Sequence, residues 1–171
     1  MIFQPLEMNS TIMNEPAKII KNRAAGYRLE DKTLYNKEYY SPSGTFSAGG
    51  WLSSVADLVK WEAALYGGKL LKHSTLEQMW TSYESVRKNE VAHGFTQGLG
   101  WHIASYPHRK VVTHNGGIKG FSTNMTRFID DGITVILLSN LEEIARPDVI
   151  SKGIADHFIP GLATEPLQPP I

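Results

Sequence analysis

The fold is organised around one stretch, Val111-Val112-Thr113-His114-Asn115-Gly116-Gly117, which runs directly into Ile118-Lys119-Gly120-Phe121. Its apolar start predicts a short strand that ends at His114 and is followed by a glycine turn. The glycines permit positive φ and let another backbone or a ligand come close. A histidine at the end of such a strand is a candidate site residue. The alternative is a surface histidine before a simple turn.

Further strands are predicted on both sides of this stretch. Ser122–Ile129 and Ile133–Ser139 flank Asp130-Asp131-Gly132, which is a strong hairpin signal. The second arm is nearly all apolar, which is typical of a central strand buried on both faces. Leu99–Ala104 is a plausible strand before Lys110–Thr113, and the polar residues 82–97 between them and the preceding helix predict a loop.

The clearest helix begins after Ser54, whose side chain can cap it, with Asp57 three residues further on in the first turn. Gly67-Gly68 terminates this helix. Its apolar residues recur with helical spacing and are expected to share one face: Val55, Leu58, Val59, Trp61 and Leu65.

Two more helices are predicted. The second starts at Ser74 with Glu77 three residues later, which is a capping box, and it carries three apolar residues, Leu76, Met79 and Trp80. Pro147 fits the first turn of the last helix, and Pro160 stops it. The apolar residues of this last helix recur every four positions: Ile150, Ile154 and Phe158.

Strands that pair antiparallel beside separate helices indicate an α+β fold, an antiparallel sheet flanked by helices. At 171 residues the chain is one domain or part of a larger one. We assign residues 1–159 to this domain. Residues 160–171 hold four of the nine prolines and are expected to form a mobile, Pro-rich tail.

Composition argues against several classes of function. Lys+Arg and Asp+Glu are 17 each, so there is no basic footprint for nucleic acid or an anionic membrane. No apolar run approaches the roughly 20 residues of a membrane span. The first basic residue is Lys18, so no signal peptide is expected at this N-terminus. There are no cysteines, and no His or carboxylate cluster has metal-site spacing, so neither a metal nor a cofactor is predicted. These observations do not identify the cellular compartment.

Taken in order, the segments resemble the C-terminal half of the serine β-lactamase and penicillin-binding-protein superfamily. The nearest branch is that of the class C β-lactamases with the D-alanyl-D-alanine carboxypeptidases and esterases. The resembling segments span roughly residues 3–158 and are Gln4–Met8, Ala25-Gly26-Tyr27, Ser47–Ser54 with Asp57-Leu58, Ala64–Leu71, Gln97–Trp101, His114–Gly117 with Gly120-Phe121, and Val135–Asn140. The resemblance implies part of the β-lactamase/transpeptidase-like fold.

The superfamily's active site uses three motifs, and we expect this chain to carry only the third. S-x-x-K supplies the nucleophilic serine, Y-x-N supplies a proton-relay tyrosine, and K-T-G, often H-x-G, lies on the strand that edges the cleft. His114-Asn115-Gly116 resembles the H-x-G variant. The first two motifs precede the P-L-G-M-like segment in the family, and this chain begins at that segment. We therefore interpret the chain as lacking both S-x-x-K and Y-x-N, and with them the nucleophile.

The resemblance also implies roles for the remaining site residues. The N–H of Gly117 would be one oxyanion donor, and Gly116 would let an acyl group lie against the strand. His114 would point into the cleft as a hydrogen-bond donor or positive charge, and Asn115 would orient a substrate carbonyl or carboxylate. Asn140, after the apolar strand, is a weaker substrate-binding candidate. Simple turn glycines and a strand-end asparagine are the alternatives.

These roles lead to one functional hypothesis with two alternatives. The chain is the C-terminal part of a serine hydrolase that cleaves an amide or ester through an acyl-enzyme, and it is inactive alone. The first alternative is a non-catalytic binding module or a subunit completed by another chain, and the second is a truncated reading frame. The expected partners are a small-molecule or peptide substrate and either a second copy or a missing N-terminal half, because Ile133–Ser139 would otherwise leave an apolar edge unpaired.

Overall fold

The computed structural model describes residues 2–41, 44–83, 95–106, 109–142 and 147–162. Four helices and nine strands are defined within these ranges. In chain order they are β1 (Ile12–Met13), β2 (Tyr27–Glu30), β3 (Thr33–Asn36), α1 (Phe46–Gly49), β4 (Trp51–Leu52), α2 (Val55–Tyr66), α3 (His73–Met79), β5 (Phe95–Gln97), β6 (His102–Tyr106), β7 (Arg109–Ile118), β8 (Phe121–Phe128), β9 (Ile133–Ser139) and α4 (Pro147–Ala155).

The chain divides into two compact units. The first contains the chain up to Leu70, Gly116–Thr123 and the segment that begins at Leu138. The second contains the chain from Leu71 to Asn115, Asn124–Leu137, and α4 with the residues after it. The strands β7, β8 and β9 each contribute residues to both units.

The largest sheet has five strands in the order β5-β6-β7-β8-β9. Antiparallel pairing places Thr96 opposite Ile103, and Ile103 opposite Val112. The predicted antiparallel sheet and its hairpin turn at 130–132 are confirmed. Strand β9 stands at one end of this order within the described residues, which agrees with the predicted apolar edge and contradicts a central strand buried on both faces. Val135 is its one buried residue. An apolar sequence predicts that a strand will be covered, but not its place in the sheet.

Strand β7 is longer than predicted and passes straight through the glycines. It runs from Arg109 to Ile118, so His114 is not its last residue and 116–117 is not a turn. The turn comes at Lys119–Gly120, where Gly120 has φ +84°. Burial changes along the strand: Val111, Val112 and Thr113 are buried, and the four residues from His114 to Gly117 are exposed.

Helix α2 is capped as predicted but buries a different face. The Ser54 side chain accepts a hydrogen bond from the N–H of Asp57 at 3.2 Å, and the helix ends at Tyr66. The buried residues are Asp57, Ala64 and Leu65, whereas Val55 and Val59 are exposed, which corrects the predicted apolar face. Asp57 is buried because its carboxylate accepts hydrogen bonds from the backbone N–H of Ser10 at 2.7 Å and the Thr11 hydroxyl at 2.9 Å.

Helix α3 begins one residue before its predicted start, at His73, with Lys72 as its N-cap. No side chain caps it, so the predicted capping box at Ser74 is wrong. Instead, the Lys72 carbonyl accepts hydrogen bonds from the N–H groups of Thr75 and Leu76 at 2.9 and 3.1 Å. Part of the predicted loop at 82–97 is β5, and residues 84–94 lie outside the described ranges.

The segment 98–101 forms the turn between β5 and β6, so the strand predicted at Leu99–Ala104 begins only at His102. The N–H of Gly98 donates to the Trp101 carbonyl at 2.7 Å, and that of Leu99 donates to the Met79 carbonyl at 2.9 Å. These two bonds direct the backbone away from the sheet ladder before His102.

The hydrophobic core of the second unit lies between sheet residues and the C-terminal helix. It consists of Val111, Phe128, Val135, Ala155, Ile159 and Leu162. Helix α4 ends at Ala155, so the prediction that it continues through Phe158 to Pro160 is wrong. Its buried residues are Ser151, Lys152 and Ala155, whereas Ile150, Ile154 and, after the helix, Phe158 are exposed. Leu162 is fully buried although it belongs to the predicted tail, whose residues 163–171 lie outside the described ranges.

Candidate functional site

The five residues predicted to form the site are all exposed. Four of them follow one another on β7, and the boundary between the two units falls between Asn115 and Gly116. His114 and Asn115 therefore belong to the second unit, and Gly116, Gly117 and Asn140 belong to the first.

The His114 ring is held by two contacts. Its Nδ1 lies 2.8 Å from the carbonyl oxygen of Asn115, and its ring stacks on that of His102 with centroids 5.3 Å apart. A carbonyl can only accept, so Nδ1 carries a proton and donates to it. In the neutral ring Nε2 is then an acceptor, and in the cation it is a donor. The Asn115 carbonyl thus determines which ring nitrogen of His114 carries the proton in the neutral ring.

A buried polar network lies directly before His114 in the second unit, and the sequence analysis missed it. The Asn124 amide is its hub: Nδ2 donates to the Thr113 hydroxyl at 3.1 Å. Its Oδ1 accepts from the hydroxyls of Thr126 and Ser151, each at 2.7 Å. The signal in the sequence is the alternation of polar residues along β8, where Ser122, Asn124 and Thr126 are all buried. This network fixes the strand at the residue that precedes His114.

The two glycines of β7 differ in the space beside them. A Cβ added at Gly116 would lie 2.6 Å from the Thr123 hydroxyl oxygen, and that hydroxyl donates to the Gly116 carbonyl at 3.4 Å. A Cβ at Gly117 would meet nothing within 4 Å. A side chain at position 116 would therefore clash with Thr123 on β8 unless the hydroxyl moved. At position 117 no neighbouring atom explains why the residue is glycine.

Asn140 holds a neighbouring segment of the first unit. Its side-chain Nδ2 donates to the Ala25 carbonyl at 3.0 Å, and its own carbonyl accepts from the N–H of Tyr27 at 2.9 Å. These two hydrogen bonds agree with the alternative stated above, that Asn140 is a structural asparagine at the end of a strand. Its role in substrate binding stays a prediction.

The turn that follows Gly117 is held by a carboxylate that the sequence analysis did not identify. Glu142 Oε2 accepts from the N–H of Gly120 at 2.9 Å, and Oε1 accepts from Lys37 Nζ at 2.6 Å. The Lys37 ammonium and the Gly120 N–H hold the pKa of Glu142 below its usual range. The turn also packs against Gly26, so that a Cβ at Gly26 would lie 2.8 Å from the Gly120 Cα.

The part of the chain that the structure describes contains no group of three or more His, Asp or Glu side chains arranged to hold a metal ion. No helix within it combines the length and the apolar character needed to cross a membrane.

The interpretation that the chain lacks an S-x-x-K sequence needs a correction. Ser85-Val86-Arg87-Lys88 has this spacing. It follows the P-L-G-M-like segment, whereas the superfamily's motif precedes it, and residues 85–88 lie outside the described ranges. No Tyr-x-Asn occurs in the 171 residues.

Residues 1–156 match the family model described as beta-lactamase. The chain belongs to the beta-lactamase family. Two curated proteins are similar to this chain. Penicillin-binding protein 4* of Bacillus subtilis is 32% identical over 114 residues, covering 66% of this chain and 24% of that protein. The human mitochondrial serine beta-lactamase-like protein LACTB is 30% identical over 145 residues, covering 71% of this chain and 26% of that protein. The chain thus spans about a quarter of the length of these curated relatives.

Solved structures place the chain in the same superfamily and confirm the α+β fold. The octameric penicillin-binding protein homologue from Pyrococcus abyssi superposes with a TM-score of 0.75 at 27% identity, covering 92% of this chain and 36% of that one. The D-amino acid amidase from Ochrobactrum anthropi complexed with L-phenylalanine amide gives 0.66 at 26% identity, covering 82% of this chain and 41% of that one. The beta-lactamase-related serine hydrolases are therefore the family of this chain.

Proposed function

We propose that this chain is the C-terminal part of a serine hydrolase that cleaves an amide or ester through an acyl-enzyme. The observation that carries the proposal is the run His114–Gly117, which occupies the exposed part of β7 in a chain of the beta-lactamase family. The substrate class, exemplified by a D-alanyl peptide, a β-lactam or a small ester, follows from the penicillin-binding proteins and the amidase among its relatives.

In this proposal each residue acts on a different part of the reacting group. The Gly117 N–H donates to the oxygen that becomes negative in the tetrahedral intermediate, which is the largest single contribution in acyl transfer. Gly116 lets the acyl group lie against the strand, and the absence of a neighbour at the Gly117 Cβ position leaves further room beside it. His114 Nε2, opposite the ring nitrogen that donates to the Asn115 carbonyl, donates a hydrogen bond to the substrate or supplies a positive charge. Asn115 orients the substrate carbonyl or carboxylate, with Asn140 as a weaker candidate at the rim.

The nucleophile, in this proposal, comes from outside the 171 residues, so the chain is inactive alone. Acyl transfer needs a serine, a base and oxyanion donors together. We expect no covalent adduct when the chain is incubated with a fluorophosphonate or a fluorescent penicillin. Intact-mass analysis measures this, with Ser85→Ala as the matched control. Stoichiometric acylation that disappears in Ser85→Ala would make Ser85 the nucleophile and overturn this part of the proposal.

Co-expression with the coding sequence directly upstream of Met1 tests the hydrolase itself. If that sequence supplies S-x-x-K and Y-x-N, the reconstituted protein should hydrolyse p-nitrophenyl acetate or a D-alanyl amide. The alternative, a non-catalytic binding module, is favoured by the lack of Tyr-x-Asn in this chain. It predicts that ligand binds without turnover in the reconstituted protein.

Association follows from the same proposal. Strand β9 lies at one end of the sheet order within the described residues, and an apolar strand edge is a template for pairing with another chain. We expect either the nucleophile-bearing segment or a second copy to cover it. The Pyrococcus abyssi homologue is octameric. Light scattering of the 171-residue chain tests this, and a monodisperse monomer at high concentration would count against it.

A further inference from the structure

The ion pair between Lys37 and Glu142 differs from an ordinary surface pair in its burial. Lys37 Nζ lies 2.6 Å from Glu142 Oε1, and the two side chains are 18% and 16% exposed. Lys18 and Glu15 are also 2.6 Å apart, but their side chains are 63% and 47% exposed. These two pairs have the same chemistry and length, but the Lys37–Glu142 pair is largely removed from water.

Backbone hydrogen bonds fix both partners of the buried pair. The N–H of Glu142 donates to the Tyr27 carbonyl at 3.0 Å, and the N–H of Lys37 donates to the Gly26 carbonyl at 2.8 Å. The second carboxylate oxygen of Glu142 is therefore held in a defined place, where it accepts the N–H of Gly120. A hydrogen bond to an ionised acceptor is stronger than one between neutral groups.

The segment that this carboxylate holds is rich in glycine, and the Gly120 carbonyl also accepts a longer hydrogen bond from the N–H of Tyr27, at 3.4 Å. Gly116, Gly117 and Gly120 lack side chains that could anchor them, and glycine loses more conformational freedom on folding than any other residue. An oxyanion donor, however, stabilises a transition state only if it is oriented before the reaction. The Glu142 carboxylate is a fixed acceptor for the N–H of Gly120, which lies in the turn three residues after Gly117. By fixing the turn, it orients the Gly117 N–H.

We propose that Glu142 is a positioning residue: by holding the Gly120 N–H, it fixes the β7–β8 turn and so the direction of the Gly117 N–H. This inference rests on the proposed function of Gly117 for its catalytic meaning, but not for its structural test. Lys37 has the role of neutralising the carboxylate while it is largely buried, and Arg28 adds a further positive charge.

The test uses the 171-residue chain with ¹⁵N-labelled glycine. In Glu142→Ala, amide hydrogen exchange at Gly120 should accelerate by about tenfold or more, the size expected for losing a hydrogen bond to a charged group. The Gly117 N–H donates to the substrate in the proposed function, so its change in orientation is measured by the shift of its ¹H–¹⁵N resonance. Glu142→Gln keeps a neutral acceptor for the Gly120 N–H, so the acceleration at Gly120 should be intermediate. Glu15→Ala, in the exposed pair, should leave both amides unchanged.

Three outcomes are distinguishable. If the Gly117 resonance in Glu142→Ala and Glu142→Gln lies where it does in Glu15→Ala, the inference is wrong. If Glu142→Ala does not fold, the Gln variant alone decides, by the same comparison. If exchange at Gly120 accelerates and the Gly117 resonance shifts as expected but the reconstituted enzyme keeps its kcat in Glu142→Gln, the turn is anchored by Glu142 and it is the proposed role of Gly117 that fails. A fall in kcat with unchanged KM supports both.

Discussion

Gly26 and Gly120 approach each other so closely that a Cβ added at Gly120 would lie 2.6 Å from the Gly26 Cα. No side chain can be accommodated between two backbones at this distance. Gly120 also has φ +84°, a conformation that L-residues with a Cβ adopt only at a cost. The glycine after the site strand is thus required twice, by its own backbone and by its neighbour.

The first prediction separates these two requirements. Gly120→Ala should lower the free energy of unfolding by about 2–5 kcal/mol, the sum of left-handed strain and overpacking. Gly132→Ala, at φ +66° with nothing within 4 Å, should lower it by only the strain of about 1–2 kcal/mol. Urea denaturation of both variants measures the difference, and equal losses would show that Gly26 can move aside.

The elements that the sequence predicted correctly have local causes. The hairpin at 130–132 and the Ser54 cap depend on residues within a few positions of each other, so their signals are complete in the sequence. The passage of β7 through Gly116 depends instead on the Thr123 hydroxyl across the sheet. Glu142 is 105 residues from Lys37, and no spacing rule connects them. The candidate site was found through its family motif, and its supporting residues could not be.

The two site glycines should respond differently to alanine. Gly116→Ala should destabilise the chain by about 1–3 kcal/mol, because its Cβ would displace the Thr123 hydroxyl. Thr123→Ala should recover most of that loss in the double variant. Gly117→Ala should be neutral, or stabilising by about 0.4–1 kcal/mol, since the site is open and alanine has less freedom in the unfolded chain. A double-mutant cycle by urea denaturation measures the coupling; additive effects would contradict the clash.

Asn124 should be among the most sensitive polar residues of the chain. Asn124→Ala removes the hub that joins Thr113, Thr126 and Ser151, and we expect a loss of about 2–4 kcal/mol, because buried donors and acceptors are left without partners. Asn140→Ala removes one exposed hydrogen bond and should cost about 0.5–1.5 kcal/mol. Denaturation midpoints compare the two, and a smaller loss for Asn124→Ala would show that water can replace the amide.

Stability should fall in acid partly through Asp57. Burial raises the pKa of this carboxyl, but hydrogen bonds from Thr11 and the Ser10 N–H, together with Lys60, outweigh it, so that the pKa lies below the ordinary value of 3.8. The folded state therefore favours the carboxylate. Its contribution is complete above pH 3.8 and is lost as the pH falls through the lowered folded pKa.

Asp57→Asn should be less stable than the parent above pH 3.8, and its stability should fall less steeply below that pH, because the variant has no proton to bind there. Unfolding free energies measured from pH 6 to pH 2 give the two slopes. The exposed Asp31, replaced by Asn, is the control. Parallel curves for the parent and Asp57→Asn would mean that other carboxyls account for the acid sensitivity.

The last prediction concerns His114 in the reconstituted hydrolase. The ring is exposed and contacts only its neighbour's carbonyl and the His102 ring among the interactions described for it, so His114→Ala should not change the unfolding midpoint measurably. If its Nε2 stabilises the transition state, the same variant should lower kcat/KM for ester hydrolysis by roughly 10²–10³. His73→Ala, an exposed histidine on α3 whose side chain is 78% accessible, is the matched control and should leave both quantities unchanged. If the reconstituted enzyme keeps its kcat/KM in His114→Ala, this stretch of β7 has only a structural role.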